Sequence, residues 1–154
     1  MYTEQMSQAL NLGTPIQPQQ LTATTTLNTG KIDMQMFRRA LFTFNLGAIT
    51  GSPTVSAAAT LQTSPDGTTW SNETNDVGTI TISAQNTGLS KELRAGQVTA
   101  GKRYARLQVV VTITGGSSPT VQCAGLAIGG ECNHKPGSLQ NDTTTWPTAN
   151  QNVT

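Results

Sequence analysis

Apolar and polar residues alternate along several stretches of this chain, beginning at residue 38. In residues 38–46 the apolar positions of the alternation are Ala40, Phe42, Phe44 and Leu46. An alternation with a period of two is typical of a strand that buries one face and exposes the other. The pattern returns in TVSAAATLQ (54–62), GTITISAQ (78–85), GLSKELRAGQV (88–98), RYARLQVVVTI (103–113) and TVQCAGLAIGG (120–130). The predicted buried faces of the first four of these contain Val55, Ala57, Ala59, Leu61, Ile80, Ile82, Ala84, Leu89, Lys91, Leu93, Ala105, Leu107, Val109, Val111 and Ile113.

Turn signals separate these segments. GAITGSP (47–53), SPDGTTW (64–70) and GGSSP (115–119) combine Gly with Pro, Asp or Ser, and Asp66-Gly67 supplies the positive-φ position of a tight turn. The first turn predicts a hairpin between residues 38–46 and 54–62. No segment has a convincing helical period over ten or more residues. The pattern therefore predicts an all-β fold, an antiparallel β-sandwich or jelly roll in a single domain.

The residues before the first clear strand are polar and carry Pro15 and Pro18. We expect an extended N-terminal arm over residues 1–19, the β-sandwich over 20–130, and an extended or disordered C-terminal tail over 131–154. Within the sandwich, LTATTTLNTG (21–30) is expected to be a first strand or extended segment. Asp33 is expected to cap a single helical turn containing Met34, Met36 and Phe37.

Composition narrows the functional class. The chain has 154 residues, 35% of them hydrophobic and 11% charged, and a formal net charge of +1. Such a weak charge steers neither a polyanion such as nucleic acid nor an anionic membrane, so we expect neither partner. The N-terminus lacks a basic region followed by an apolar run, so we expect a protein that is made and kept in a cytosol. Cys123 and Cys132 are then expected to remain thiols.

Candidate chemistry is sparse. The sequence has one histidine, His134, close to Glu131 and Cys132, but a structural zinc site usually requires four ligands and a Cys-His hydrolase requires a third, orienting group. We therefore expect no catalytic residue, no metal and no cofactor.

A calcium site is an alternative for one loop. The region 66–76 offers clustered oxygen ligands from Asp66, Asn72, Glu73, Asn75 and Asp76. Their spacing does not match a recognisable calcium-loop pattern, and a plain polar loop is the favoured interpretation.

Two surface features have competing interpretations. The segment GKRYAR (101–106) places Lys102, Tyr104 and Arg106 on the outward parity, where they would be a solvated face or would dock an acidic neighbour. Trp70, just after the Asp66-Gly67 turn, would either cap the core or stack on a sugar ring. The solvated face is favoured for the basic segment, because charged side chains are mostly exposed. The chain has few other aromatic residues, so the core cap is favoured for Trp70.

The order of landmarks resembles a group of small tailed-phage virion proteins, the head decoration or cement proteins encoded near the major capsid gene. The resemblance rests on TGKIDMQMFRRALFTFNLGAITG, VSAAATLQ, SPDGTTW and GKRYARLQVVVT, and it covers roughly residues 20–136. It implies a non-enzymatic β-sandwich on the outer face of an icosahedral capsid that clamps capsid subunits after expansion. The implied partners are the major capsid protein and copies of the same chain at capsid symmetry axes, after synthesis in the host cytoplasm.

Candidate capsid contacts are the arm and the outward basic residues: Leu10, Leu12, Pro15, Ile16, Pro18, Arg38, Lys102 and Arg106. Two other functions compete with this one. The DG-x-x-W turn also resembles turns of carbohydrate-binding sandwiches, in which Trp70 would be the ligand-face residue. The chain would alternatively be another virion component of the neck or tail.

Overall fold

The computed structural model describes residues 9–76 and 78–133, which form eleven strands and one short 3-10 turn. The strands are β1 (Leu10–Leu12), β2 (Ile16–Leu21), β3 (Thr25–Asn28), β4 (Ile32–Asp33), β5 (Phe37–Thr50), β6 (Thr54–Ser64), β7 (Ser71–Asn72), β8 (Ile80–Ile82), β9 (Thr87–Arg94), β10 (Tyr104–Thr114) and β11 (Thr120–Cys132). The 3-10 turn covers Ala95–Gln97. The protein is an all-β sandwich, as predicted.

The strands form two antiparallel sheets. In sheet 1, β11 pairs with β5, β5 pairs with β9, and β1 and β2 both lie along the other edge of β11. In sheet 2, β10 pairs with β6, β3 and β4 lie along the other edge of β10, and β7 and β8 lie along the other edge of β6. Long strands therefore form the centre of each sheet and short strands form its borders.

The hydrophobic core lies between the sheets, and the predicted alternation accounts for most of it. The largest fully buried side chains include Phe42, Phe44 and Leu46 from β5 and Leu107, Val109 and Val111 from β10. Leu89, Lys91 and Leu93 of β9 are buried on the predicted parity. One prediction is wrong: β8 ends at Ile82, so Ala84 is exposed.

The predicted hairpin between β5 and β6 is also wrong. β5 pairs with β11 and β9, whereas β6 pairs with β10, so the turn 51–53 carries the chain from sheet 1 to sheet 2. The turn 115–119 carries it back, and the backbone N–H of Ser117 donates to the carbonyl of Gly51 at 2.9 Å. Alternation specifies which face of a strand is buried, but it does not specify the strand's partner.

The N-terminal segment is not an arm from residue 10 onward. Leu10 pairs with Gly130, and β2 pairs with β11 between Val121 and Gly125, so residues 10–12 and 16–21 belong to sheet 1. Ile16 is 4% exposed and is part of the core, which excludes it as a surface contact. The short polar strand IQPQQL has no alternation from which its place in the sheet could be predicted. Residues 1–8 and 134–154 of the expected arm and tail lie outside the described residues.

Asp33 acts at a turn rather than at a helix. It ends β4, and its Oδ1 accepts the backbone N–H of Gln35 at 3.0 Å, while residues 34–36 form the turn into β5. Met34, the first residue of this turn, and Phe37, the residue after it, are buried in the core. The expected capping contact is therefore present, although the helical turn is not.

Candidate binding surfaces

Trp70 lies on the outer face of sheet 2. The residue precedes β7, in which Asn72 pairs with Gln62 and Ser71 pairs with Thr63. Because side chains alternate along a strand, Trp70 and Asn72 point away from the core, on the same side as Gln62. Trp70 is half-buried and is not a member of the described core cluster, so the prediction that it caps the core is wrong.

Arg106 covers the ring of Trp70. Its guanidinium carbon lies 4.2 Å from the ring centroid, and its Nε and Nη2 both donate to Oε1 of Gln62, at 3.0 and 2.8 Å. Nε2 of Gln62 donates in turn to Asn72 and Gln108, each at 3.2 Å. Burial lowers the pKa of the Arg106 guanidinium. A stacked guanidinium with a forked hydrogen bond has little rotational freedom, so this group is rigidly placed.

The turn that delivers Trp70 is fixed by Asp66. Its Oδ1 accepts the backbone N–H groups of Thr68 and Thr69, both at 2.8 Å, as well as the hydroxyl of Ser64 at 2.9 Å. These hydrogen bonds, that from the Thr69 backbone first, hold the pKa of the Asp66 carboxyl well below its usual range. Gly67 has φ of 77°, which favours glycine, as predicted for this turn.

Tyr104 continues the outer face beside Arg106. Cations lie over its ring, with Lys31 Nζ at 5.3 Å and Arg103 Cζ at 5.0 Å from the centroid. Arg103 is also paired with Asp33, its Nε lying 2.9 Å from Oδ2. We call Lys31, Trp70, Tyr104 and Arg106 the cation–aromatic cluster. Both of its rings are in contact with side-chain cations.

Sheet 1 carries a different surface on its outer face. Leu12, Ile128 and Leu41 are register neighbours across β1, β11 and β5, and they have the parity opposite to the buried positions. Leu41 is 38% exposed and the other two are half-buried. Leu10 and Leu126 extend the row along the same face and are also half-buried. We call Leu10, Leu12, Leu41, Leu126 and Ile128 the apolar strip.

The remaining contact candidates are scattered. Pro15 is half-buried between β1 and β2, and Pro18 is exposed on β2, where it lines a shallow groove of about 490 Å³ together with Asn45 and Gln122. The Nε of Arg38 donates to Oδ1 of Asn133 at 3.2 Å. These positions do not form one surface.

The basic side chains of residues 101–106 do not form one surface either. Lys102 belongs to the turn before β10, where its backbone N–H donates to the carbonyl of Thr99 at 3.0 Å. Of the residues predicted to share an outward face in 101–106, the structure brings together Tyr104 and Arg106.

In the loop considered as a calcium site, two of the acidic side chains already bind other groups of the protein. Glu73 is 6% exposed, its Oε1 accepts the hydroxyl of Thr99 and the backbone N–H of Asn75, and its Oε2 accepts the backbone N–H of Thr99. Asp76 is paired with Lys91. Within residues 9–76 and 78–133, no group of three or more His, Cys, Asp or Glu side chains is placed to share a metal ion.

The two cysteines cannot form a disulfide with each other. Both lie on β11, nine positions apart, which corresponds to about 30 Å along a strand, whereas a disulfide requires Cα atoms within about 7 Å. Burial raises the pKa of the Cys123 thiol, which disfavours the reactive thiolate. His134 lies outside the described residues.

The described part of the chain contains no helix with the length and apolar character needed to span a membrane.

No protein-family model and no curated protein sequence matches this chain. Solved structures that match this chain include the PBSX exported protein XepA, with 12% identity and a TM-score of 0.47 over 82% of this chain and 39% of that one. Infectious bursal disease virus, Gt strain, matches with 16% identity and a TM-score of 0.46 over 84% of this chain and 33% of that one. TmCBM61 in complex with β-1,4-galactotriose matches with 13% identity and a TM-score of 0.35 over 74% of this chain and 69% of that one.

This chain therefore spans between a third and two fifths of the length of the first two structures. What is established is the architecture, a β-sandwich of two antiparallel sheets.

Sequence reasoning missed the apolar strip as a unit. Leu10 and Leu12 were candidates, but Leu41, Leu126 and Ile128 occupy polar-parity positions of strands whose buried faces dominated the pattern. Bulky aliphatic residues at outward positions were the available signal. That signal becomes a surface only when the pairing of β1, β11 and β5 is known.

Proposed function

We propose that this protein is a structural virion component, a decoration protein that binds the outer surface of a phage head without catalysis. The observation that carries the proposal is the apolar strip. Leu12, Ile128 and Leu41 form a continuous row across three strands of sheet 1, and Leu10 and Leu126 adjoin it. Contiguous apolar side chains on a surface mark sites of protein association. Their proposed partner is the major capsid protein.

Two further observations support this proposal. Three of the segments that resemble phage decoration proteins lie in long strands of the sandwich: residues 37–46 in β5, residues 55–62 in β6 and residues 104–112 in β10. In addition, two of the predicted arm contacts, Leu10 and Leu12, belong to the strip. The sandwich would then supply a rigid shape and the strip would supply the binding energy.

The proposed mechanism is stabilisation by mass action. A protein that binds only the assembled, expanded shell stabilises it, because its binding free energy must be lost before the shell opens. Copies arranged around capsid symmetry axes would multiply this effect, and self-association at those axes is part of the proposal. Placement on the outside of the shell is likewise part of the proposal.

The test is a copy count of this chain relative to the major capsid protein in purified particles, with the thermal stability of the particles measured before and after the chain is stripped. We expect a copy ratio set by capsid symmetry and a fall in the melting temperature of the stripped shells. A few copies per particle would instead indicate a neck or tail component. Absence from particles would refute a virion role.

A further inference from the structure

We infer that the cation–aromatic cluster on sheet 2 is a binding site for a carboxylate-bearing polysaccharide. This surface lies on the opposite side of the sandwich from the apolar strip, so the inference does not depend on the proposed virion role. The juxtaposition that carries it is the guanidinium of Arg106, fixed between Trp70 and Gln62 beside a row of amide side chains.

The guanidinium of Arg106 has N–H groups that donate to no partner within the described part of the chain. Among the described residues, no carboxylate lies within ion-pair distance of its guanidinium, and its Nη1 donates no hydrogen bond. By contrast, Arg103 is paired with Asp33, and Arg39 with Glu131 at 3.0 Å. A half-buried guanidinium without a counter-ion has lost hydration that a carboxylate can replace. Gln62 occupies the Nε–Nη2 edge, so the Nη1–Nη2 end is the part of the planar group that can meet the two carboxylate oxygens.

Contacts within the protein fix the geometry of this site. Gln62 is 8% exposed and accepts both the Nε and Nη2 hydrogen bonds of Arg106, so the direction of the guanidinium is set by a buried group. The ring of Trp70 supports the guanidinium from one side. Preorganisation of this kind lowers the entropy cost of binding.

Neutral amides, rather than further cations, extend the surface. Gln62, Gln108, Asn28 and Asn72 are linked by side-chain hydrogen bonds of 3.2 to 3.5 Å across β3, β10, β6 and β7. Amides offer both donors and acceptors, which suits hydroxyl groups. A sugar polymer that bears carboxylates combines hydroxyls with an anion and therefore matches both parts of this surface.

The same geometry argues against two other ligands. A neutral sugar binds mainly by stacking on an aromatic face, but the rings of Trp70 and Tyr104 already contact cations. Nucleic acid requires several basic side chains along its phosphates, whereas the cation–aromatic cluster contributes Lys31 and Arg106 and the whole chain has a net charge of +1. An acidic polypeptide also matches the charge of this surface, so the experiment must distinguish it from an acidic polysaccharide.

The experiment is isothermal titration of the full chain with polygalacturonate, with dextran as the neutral polymer and poly-L-glutamate as the acidic polypeptide. We expect binding to polygalacturonate alone. Arg106→Gln should weaken it by about tenfold or more, which is the effect of losing one charged hydrogen-bonding group. Arg94→Gln, which removes an exposed arginine of sheet 1, is the matched control and should bind as the unaltered chain does.

Each contrary result overturns the inference. No binding of polygalacturonate excludes the site, and equal binding by Arg106→Gln and Arg94→Gln excludes Arg106. Equal affinity for poly-L-glutamate shows that charge alone is recognised, and equal affinity for dextran shows that the carboxylate is irrelevant. If Arg106→Gln does not fold, Arg106→Lys replaces it. This variant keeps the charge without the fork and should still weaken binding severalfold.

Discussion

Lys91 and Asp76 form an ion pair that is almost completely shielded from water, their side chains being 2% and 6% exposed. The ammonium of Lys91 also donates to the carbonyl of Gly78, so the pair fastens the loop between β7 and β8 to β9. A lysine on the buried parity of an amphipathic strand is thus explained by a partner supplied from a loop.

Removing one member of this pair should be costly. Lys91→Met leaves the Asp76 carboxylate buried without its cation, and we expect a loss of about 3–5 kcal/mol in the free energy of unfolding, measured by chemical denaturation. The double variant Lys91→Met, Asp76→Asn removes both charges and should lose less. A loss below about 1 kcal/mol for the single variant would show that the pair is not shielded as described.

Glu73 should make stability depend on acid pH. Burial raises the pKa of its carboxyl, but hydrogen bonds from Thr99 and Asn75 together outweigh that effect and hold the pKa below its usual 4.5. A depressed folded-state pKa contributes stability that is complete above the unfolded value and is lost as the pH falls through the folded value.

We therefore expect the free energy of unfolding to fall as the pH is lowered below 4.5, and to fall less steeply in Glu73→Gln. Denaturation curves at pH values from 7 downward to about 2 test this expectation. Asp66, whose pKa is also depressed, contributes a parallel acid dependence, so the readout is the difference in slope between the two proteins. Identical slopes would contradict the role of Glu73.

Two adjacent glycines of β11 should respond differently to substitution. A Cβ at Gly129 would lie 2.9 Å from Cγ of Phe37, a core side chain that is 1% exposed. We expect Gly129→Ala to destabilise the protein by about 1–3 kcal/mol through overpacking. Gly130 faces outward, and its Cβ would meet only Leu10 Cδ2 at 3.4 Å, an ordinary contact.

Gly130→Ala is therefore the matched control, with an expected change within about 0.5 kcal/mol. Thermal denaturation of both variants measures the difference. An equal loss of stability in the two variants would mean that Gly129 does not face the core.

Leu41 should matter for attachment rather than for folding if the apolar strip binds a capsid. We expect Leu41→Gln to change the free energy of unfolding by less than about 1 kcal/mol, because the side chain is 38% exposed. Its affinity for stripped particles should fall about tenfold, as expected for the loss of one buried leucine at an interface.

The control for this experiment is Thr112→Gln, an exposed position on sheet 2. Cosedimentation of each purified variant with stripped particles gives the affinities. Equal binding by Leu41→Gln and Thr112→Gln would remove the apolar strip from the interface.

The sequence was sufficient to predict which faces of the long strands are buried. Phe42 and Phe44 in β5 and Leu107 in β10 follow an uninterrupted alternation, and a one-residue shift would expose all of them. Strand partners were not predictable, because the turns at Gly51 and at Gly116 resemble hairpin turns yet cross between sheets.

The candidate sites were less predictable than the core. Arg106 was identified as outward, but its stacking on Trp70 depends on the two-residue strand β7, which no sequence pattern marks. Ile16 was misplaced because a single apolar residue in a polar segment does not reveal the edge of β11 against which it lies.

The pairing of Leu10 with Gly130 has a practical consequence for engineering. Residues 9 and 133 lie at the same end of sheet 1, remote from the turns at 51–53 and 115–119, where β11 begins. In a chain shortened to residues 9–133, peptides fused to the two ends would therefore lie side by side. This arrangement suits a split reporter whose two halves must meet. A short linker between these two positions would equally permit a circularly permuted chain with new ends in one of the distant turns.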